Sequence, residues 1–210
     1  MTIDWPVGTL TLTVWAYWST VFLLVFYKRI RYGQRAGVVP RQRREKRLWL
    51  GVCAVFLAWN TLPALAAYLD HGPFSLPDWA VSVPAVYATR CTAAVVGVVC
   101  YLATLSCWLL MGRNWSMAIV PSQKTELVTG GLFGLVRHPI YSLSILLMLC
   151  SALVVSNLPM ILIATLHVSV MNFKANIEEQ HLTERHGPSY LSYCQRVGRF
   201  LPRLGGLIGR

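Results

Sequence analysis

Acid is scarce in this sequence. Eight Asp and Glu stand against nineteen Lys and Arg in 210 residues, and charged residues make up only 13% of the chain. That is too little charge to coat a water-soluble domain, which carries about 25%. Paired cysteines are lacking as well. Cys53, Cys91, Cys100, Cys107, Cys150 and Cys194 lie in or beside apolar runs and none forms a CxxC pair. This excludes a zinc-ribbon spacing and gives no disulfide framework, so they read as small buried hydrophobes. His181 and His186 are five apart and miss the i,i+4 spacing of a helical metal chelate, so no metal is expected. The glycines of GGLFG (130–134) have the wrong spacing for a dinucleotide fingerprint, and no βαβ pattern surrounds them. There is no internal repeat and no low-complexity linker.

What the chain does have is apolar length. Hydrophobic residues make up 55%, and the charges are bunched. Val7–Tyr27, Leu48–Leu69 and Cys91–Met111 are each free of charge and long enough to span a bilayer as helix. Asp4 before the first run and the basic segment after it argue against a cleavable signal. A fourth apolar stretch, 140–173, is too long for one span, and Asn157-Leu158-Pro159 divides it into a helical hairpin of two short spans. Five spans with the N-terminus outside place eighteen of the nineteen Lys and Arg on the inner side, with Arg90 the exception. The net charge of +11 is thus read as topology. The cluster from Lys28 to Arg47 suits anionic lipid headgroups better than RNA, so no nucleic-acid partner is expected. Arg90 is read as snorkelling to outer headgroups, Trp115 as part of an interfacial belt, and Asn60 and Pro63 as a kink or a helix contact. The expected fold is all-α: one integral membrane domain over 1–210, three N-terminal spans in 1–111 and a catalytic half in 112–210. The Ala/Val/Arg-rich composition suggests a prokaryotic plasma membrane.

The polar stretch TELVTGGLFGLVRHPIY, Thr125 to Tyr141, organises the rest. Pro139 suits the first position of a helix, which puts His138 at the helix entrance, beside free backbone N–H groups that favour an anion. Arg137 opposes that dipole end, so an acidic partner is expected nearby. Downstream, FKANIEEQHLTERHG continues the last span as helix to about His186, with Gly187-Pro188 as a stop. Lys174 and Glu178 share one face. Tyr190, Tyr193 and Val197 share one side of a short amphipathic segment, which reads as a helix lying on the membrane.

The order ELVTGG-(x)5-RHPIY, a short apolar hairpin, then EE-(x)2-L-(x)4-G-(x)2-Y-(x)2-Y-(x)3-V-x-RF-x-P resembles the isoprenylcysteine carboxyl methyltransferase family. Phospholipid N-methyltransferases share parts of the pattern. The resemblance covers about Arg113 to Pro202. It implies S-adenosylmethionine as methyl donor at the cytoplasmic membrane face. By position it implies that Leu127, Val128, His138, Pro139, Ile140 and Tyr141 wrap the donor, with Thr125, Glu126 and Phe133 nearby; Arg137 and Glu179 join them as candidates, Glu179 or Glu178 for the donor's ammonium and the His138 helix entrance for its carboxylate. It places Lys174 and Glu178 beside the acceptor. Three positions depart from the family: Thr125 stands where His is common, Phe133 where Tyr is common, and Lys174 where Arg is common. A lysine lacks the bidentate grip of arginine on a carboxylate. A lipophilic acceptor from the bilayer is implied, most like a prenylcysteine carboxylate, with amino-phospholipids as the alternative. Membrane sterol reductases share an RHxNY-like element and a Tyr-Cys pair, here Tyr193-Cys194. This chain has Ile140 where they have Asn, and Ser142-Leu143 where they have Gly-Asp. A non-catalytic protein retaining the fold is the third reading.

Overall fold

The computed structural model describes residues 4–33, 43–117 and 126–203; Thr125 lies outside them. Among the described residues every regular element is helical. The helices are α1 (Trp5–Tyr32), α2 (Arg43–Tyr68), α3 (Asp78–Ser82), α4 (Pro84–Met111), α5 (Pro139–Val155), α6 (Leu158–His186) and α7 (Pro188–Arg196). Two 3-10 turns, Gly112–Asn114 and Gly131–Gly134, lie between α4 and α5. The all-α membrane architecture expected from the sequence is the one found.

The helix ends have local causes. Asp4 accepts a hydrogen bond from the Val7 N–H at 3.2 Å and starts α1. Asn157 accepts from the Met160 N–H at 3.0 Å and starts α6, with Pro159 in its first turn. Gly187, at φ +50°, ends α6 in a conformation that disfavours a side chain, and Pro188 then opens α7. The Asn-Leu-Pro break therefore does divide the long apolar stretch. It does so unequally, because α6 runs 29 residues without interruption into the polar sequence, whereas α5 has 17. α1, α2, α4 and α6 are long and apolar enough to cross a membrane, and α5 is the shorter apolar helix.

The core is built around aromatic side chains where α1, α2 and α4 meet. Tyr17 packs on Trp59 and Trp108 at ring separations of 6.1 and 5.2 Å. Gly97 lets α4 close on its neighbours, because a Cβ there would stand 3.1 Å from Leu147 and 3.2 Å from Leu10. Pro63 lies inside α2, and one turn earlier the Trp15 indole donates to the Asn60 carbonyl at 3.0 Å, a contact between α1 and α2.

Three expectations are corrected. Arg90 does not snorkel. It lies inside α4, is 1% exposed, pairs with Asp4 at 2.6 Å and donates to the carbonyls of Val154 and Ala80. A guanidinium has five donors to satisfy, and this corner supplies a carboxylate and two carbonyls from three other elements. Trp115 is buried against Trp108, with the Lys28 ammonium 5.5 Å from its ring centre, and does not sit in an outward-facing belt. α7 is amphipathic as expected, but its apolar side packs on protein. Tyr190, Tyr193 and Val197 form a small second core with Leu127 and Leu182.

Candidate active site

The two sequence motifs, 60 residues apart, form one local structure. Val136 and Gly198 make an isolated parallel bridge. The Arg137 N–H donates to the Gly198 carbonyl at 2.7 Å, and the His138 N–H donates to the Arg199 carbonyl at 3.1 Å. Ser142 Oγ donates to the Phe200 carbonyl at 2.9 Å. The RHP segment before α5 is thus strapped to the VGRF segment after α7. Tyr193 adds a second tie, donating its hydroxyl to the Phe133 carbonyl at 2.5 Å. Burial pushes that phenol up to about 12, so it stays a donor.

Glu179 is the hub of this structure. Its Oε1 receives Arg137 Nε at 3.1 Å and Nη2 at 2.9 Å, lies 3.1 Å from His138 Nε2 and is 3.4 Å from Arg199 Nε. Arg137 spends another donor on the Val197 carbonyl at 2.8 Å. The acidic neighbour expected beside Arg137 is therefore Glu179 on α6.

His138 is the N-cap residue of α5, with Pro139 following at the first turn, and its side chain makes no cap to the backbone. The ring stacks on Tyr141 at 5.4 Å with 5° between planes. Its Nδ1 is 3.6 Å from Glu178 and its Nε2 faces Glu179. Burial disfavours the imidazolium, but the two carboxylates outweigh it and hold His138 above its ordinary 6.5.

Two cavities meet here. The first, about 130 Å³, is lined by Tyr17 and Trp18 of α1, Trp108 of α4, Ile140 and Tyr141 of α5, and Met171 and Lys174 of α6, among others. The second, about 100 Å³, is lined by Glu126, Leu127, Val128, His181, Tyr190 and Tyr193, among others. Phe133, Arg137, His138 and Glu178 line both. Lys174 places its ammonium 5.5 Å from the Tyr141 ring centre.

The sequence-predicted residues divide accordingly. Leu127 and Val128 line the second cavity, and Glu126 joins them from an exposed position 3.8 Å from Arg113. Pro139, Ile140, Tyr141 and Lys174 line the first, and Phe133, Arg137, His138 and Glu178 lie at the junction. Glu179 lines neither, its Oε1 being turned to the arginines and His138. Thr125 lies outside the described residues. Sequence reasoning missed Tyr17, Trp18 and Val21 of α1 and Val52 of α2, so the first cavity is not confined to 112–210. Nothing in a uniformly apolar helix marks those positions. It also missed Arg199, although RF stood in the second motif.

Residues 88–189 match the family model described as phospholipid methyltransferase. That stretch holds most of α4, all of α5 and α6, and the RHPIY and Lys174–Glu179 positions, and agrees with the resemblance read from the motifs. The chain is also similar to the nickel-cobalt-cadmium resistance protein NccN of Alcaligenes xylosoxydans xylosoxydans. The two are 30% identical over 95 residues, which is 45% of this chain and 45% of that protein. The match thus spans less than half the length of that relative.

Proposed function

We propose that this chain, whose residues 88–189 match the phospholipid methyltransferase family of membrane methyltransferases, methylates a lipophilic acceptor with S-adenosylmethionine as donor. The observation that carries the reading is the meeting of two unlike cavities at His138 and Glu178. One is walled by aromatic and aliphatic side chains of apolar helices, as an acyl or prenyl chain requires. The other is smaller and more polar, and includes the buried Tyr190 hydroxyl, whose side-chain partner is the weakly bonding Cys194 thiol. A buried hydroxyl so weakly paired fits a polar ligand there.

Bound S-adenosylmethionine supplies an electrophilic methyl group on a sulfonium. Leu127, Val128 and Phe133 give that side of the junction an apolar wall. The first turn of α5, lacking a side-chain cap, offers amide N–H groups to a carboxylate. Glu178 stands where both ligands meet. It accepts a proton from an amine or thiol acceptor, and its charge orients the donor end. Lys174 faces the acceptor with one ammonium point charge. The strapped segments Val136–His138 and Gly198–Phe200 fix these groups and exclude water, which suits a displacement that depends chiefly on alignment.

The acceptor is read as entering from the bilayer and the donor from the cytosolic side. A prenylcysteine-type carboxylate suits Lys174, and an amino-phospholipid suits Glu178 and the family's description. Calorimetric titration of the purified chain with S-adenosylhomocysteine, beside NADPH, tests the donor. Micromolar binding of the former alone is expected, followed by turnover on one acceptor of a panel of prenylcysteines and amino-phospholipids. Binding of NADPH alone would replace the reading with a reductase. Donor binding without turnover on any lipophilic acceptor would leave a non-catalytic protein.

A further inference from the structure

The first cavity follows one face of α6. His167, Met171, Lys174 and Glu178 all line it, spaced four, three and four residues apart. At about 1.5 Å per residue, His167 lies roughly 10 Å deeper along the helix than Lys174.

His167 is an unusual wall for a lipid chain. It is 3% exposed, its Nε2 is 3.0 Å from Ser144 Oγ of α5, and its ring packs on Trp59. Nδ1 is buried and has no partner among the described residues. The indole nitrogens of Trp18 and Trp108, which line the same cavity, are buried and unpartnered too. Buried polar atoms are nearly always hydrogen-bonded, because one left alone forfeits its hydration with nothing in return. All three belong to residues that wall one cavity, which fits a polar group bound there. Two of the three are indole N–H groups, which can only donate. For an oxygen to pair with His167, Nδ1 carries the ring hydrogen and Nε2 accepts from Ser144 Oγ, the tautomer that the proposal requires.

We propose that the acceptor carries a second polar group, a carbonyl or ether oxygen about one and a half to two helical turns deeper than the methylated atom, and that His167 is the residue that selects for it. This rests on the first cavity being the acceptor site. A plain saturated or prenyl tail would leave His167 Nδ1 unpaired, whereas an oxygen at that depth accepts from it. Ser144 is a positioning residue, holding the His167 ring and its tautomer.

The test compares octadecanoic acid with 10-oxo-octadecanoic acid, whose carbonyl lies roughly 10 Å from the carboxylate, the rise from Lys174 to His167. Both are titrated calorimetrically into the full chain in one detergent, with S-adenosylhomocysteine present. The unaltered chain is expected to bind the oxo acid about three- to tenfold more tightly, the worth of one net hydrogen bond. His167→Gln keeps the group at Nε2 that meets Ser144 and loses the one at Nδ1, so it should bind both acids equally. His167→Asn restores an amide near the Nδ1 position and should recover part of the preference. S-adenosylhomocysteine affinity monitors folding of both variants. Equal binding of the two acids by the unaltered chain, or the same preference in His167→Gln, would overturn the inference and leave the acceptor site standing. Failure of both acids to bind, with S-adenosylhomocysteine still bound, would overturn the acceptor site as well.

Discussion

Arg137 and Glu179, 42 residues apart in the chain, meet at 2.9 Å and join the segment entering α5 to the polar C-terminal part of α6. Their side chains are 12% and 22% exposed, so water screens the pair little. Removing one partner of a shielded pair leaves the other charge poorly compensated. Arg137→Ala is expected to cost about 3 kcal/mol, because only His138 and Arg199 remain around Glu179. Thermal unfolding in detergent measures this, and an unchanged melting temperature would show the pair to be idle. Glu179→Gln should weaken S-adenosylhomocysteine binding indirectly, by freeing Arg137 and His138 to move.

His138 gives the fold a pH dependence with a definite sign. Its pKa is raised in the folded chain by Glu178 and Glu179, with burial opposing them. The stabilisation is therefore complete below its ordinary 6.5 and is lost as pH rises through the higher folded value. Melting temperature against pH should fall over that window in the unaltered chain and stay flatter in His138→Asn. A fall in the opposite direction would mean that the imidazole is neutral in the fold.

Glu178→Gln keeps the shape of the junction and removes the charge. If Glu178 takes the acceptor's proton, turnover should drop by roughly a hundredfold, well beyond the loss of donor affinity that follows from removing the charge. A carboxylate acceptor needs no such base, so a small effect on turnover would itself favour carboxyl methylation. Lys174→Arg should then tighten that acceptor by offering two parallel donors.

Gly198 has no room for a side chain. A Cβ there would overlap the Leu201 carbonyl oxygen, which is backbone and cannot rotate away. Gly198→Ala should break the bridge to Val136 and the bond from the Arg137 N–H, while the membrane helices persist. The expected signature is unchanged helical circular dichroism with loss of S-adenosylhomocysteine binding.

Asp4 and Arg90 clamp the opposite end of the bundle. Asp4→Ala leaves the buried guanidinium with two carbonyls and the Tyr87 ring but no counter-charge, at a cost of about 3–5 kcal/mol. The variant should unfold at lower temperature, yet keep its donor affinity while folded, because the clamp lies on α1 and α4 at the end away from α7.

The sequence determined the elements. Charge-free runs of spanning length, the Asn-Leu-Pro break, the Gly-Pro stop and Pro139 after His138 are local signals, and each acts where it is read. The two motifs also named residues that the fold brings together, down to an acidic partner for Arg137. What only the tertiary structure decided is which faces meet. In water an amphipathic helix shows which side is buried, but in a bilayer the lipid and the packed core are equally apolar. Tyr17, Trp18 and His167 therefore looked like ordinary positions in apolar runs, though they wall the first cavity. Charges follow the same logic. Arg90 and Glu179 each have their environment set by groups distant in sequence, Asp4 in one case and Arg137 and Arg199 in the other. A buried charge is held by whichever partners the fold brings to it, and only folding shows which those are.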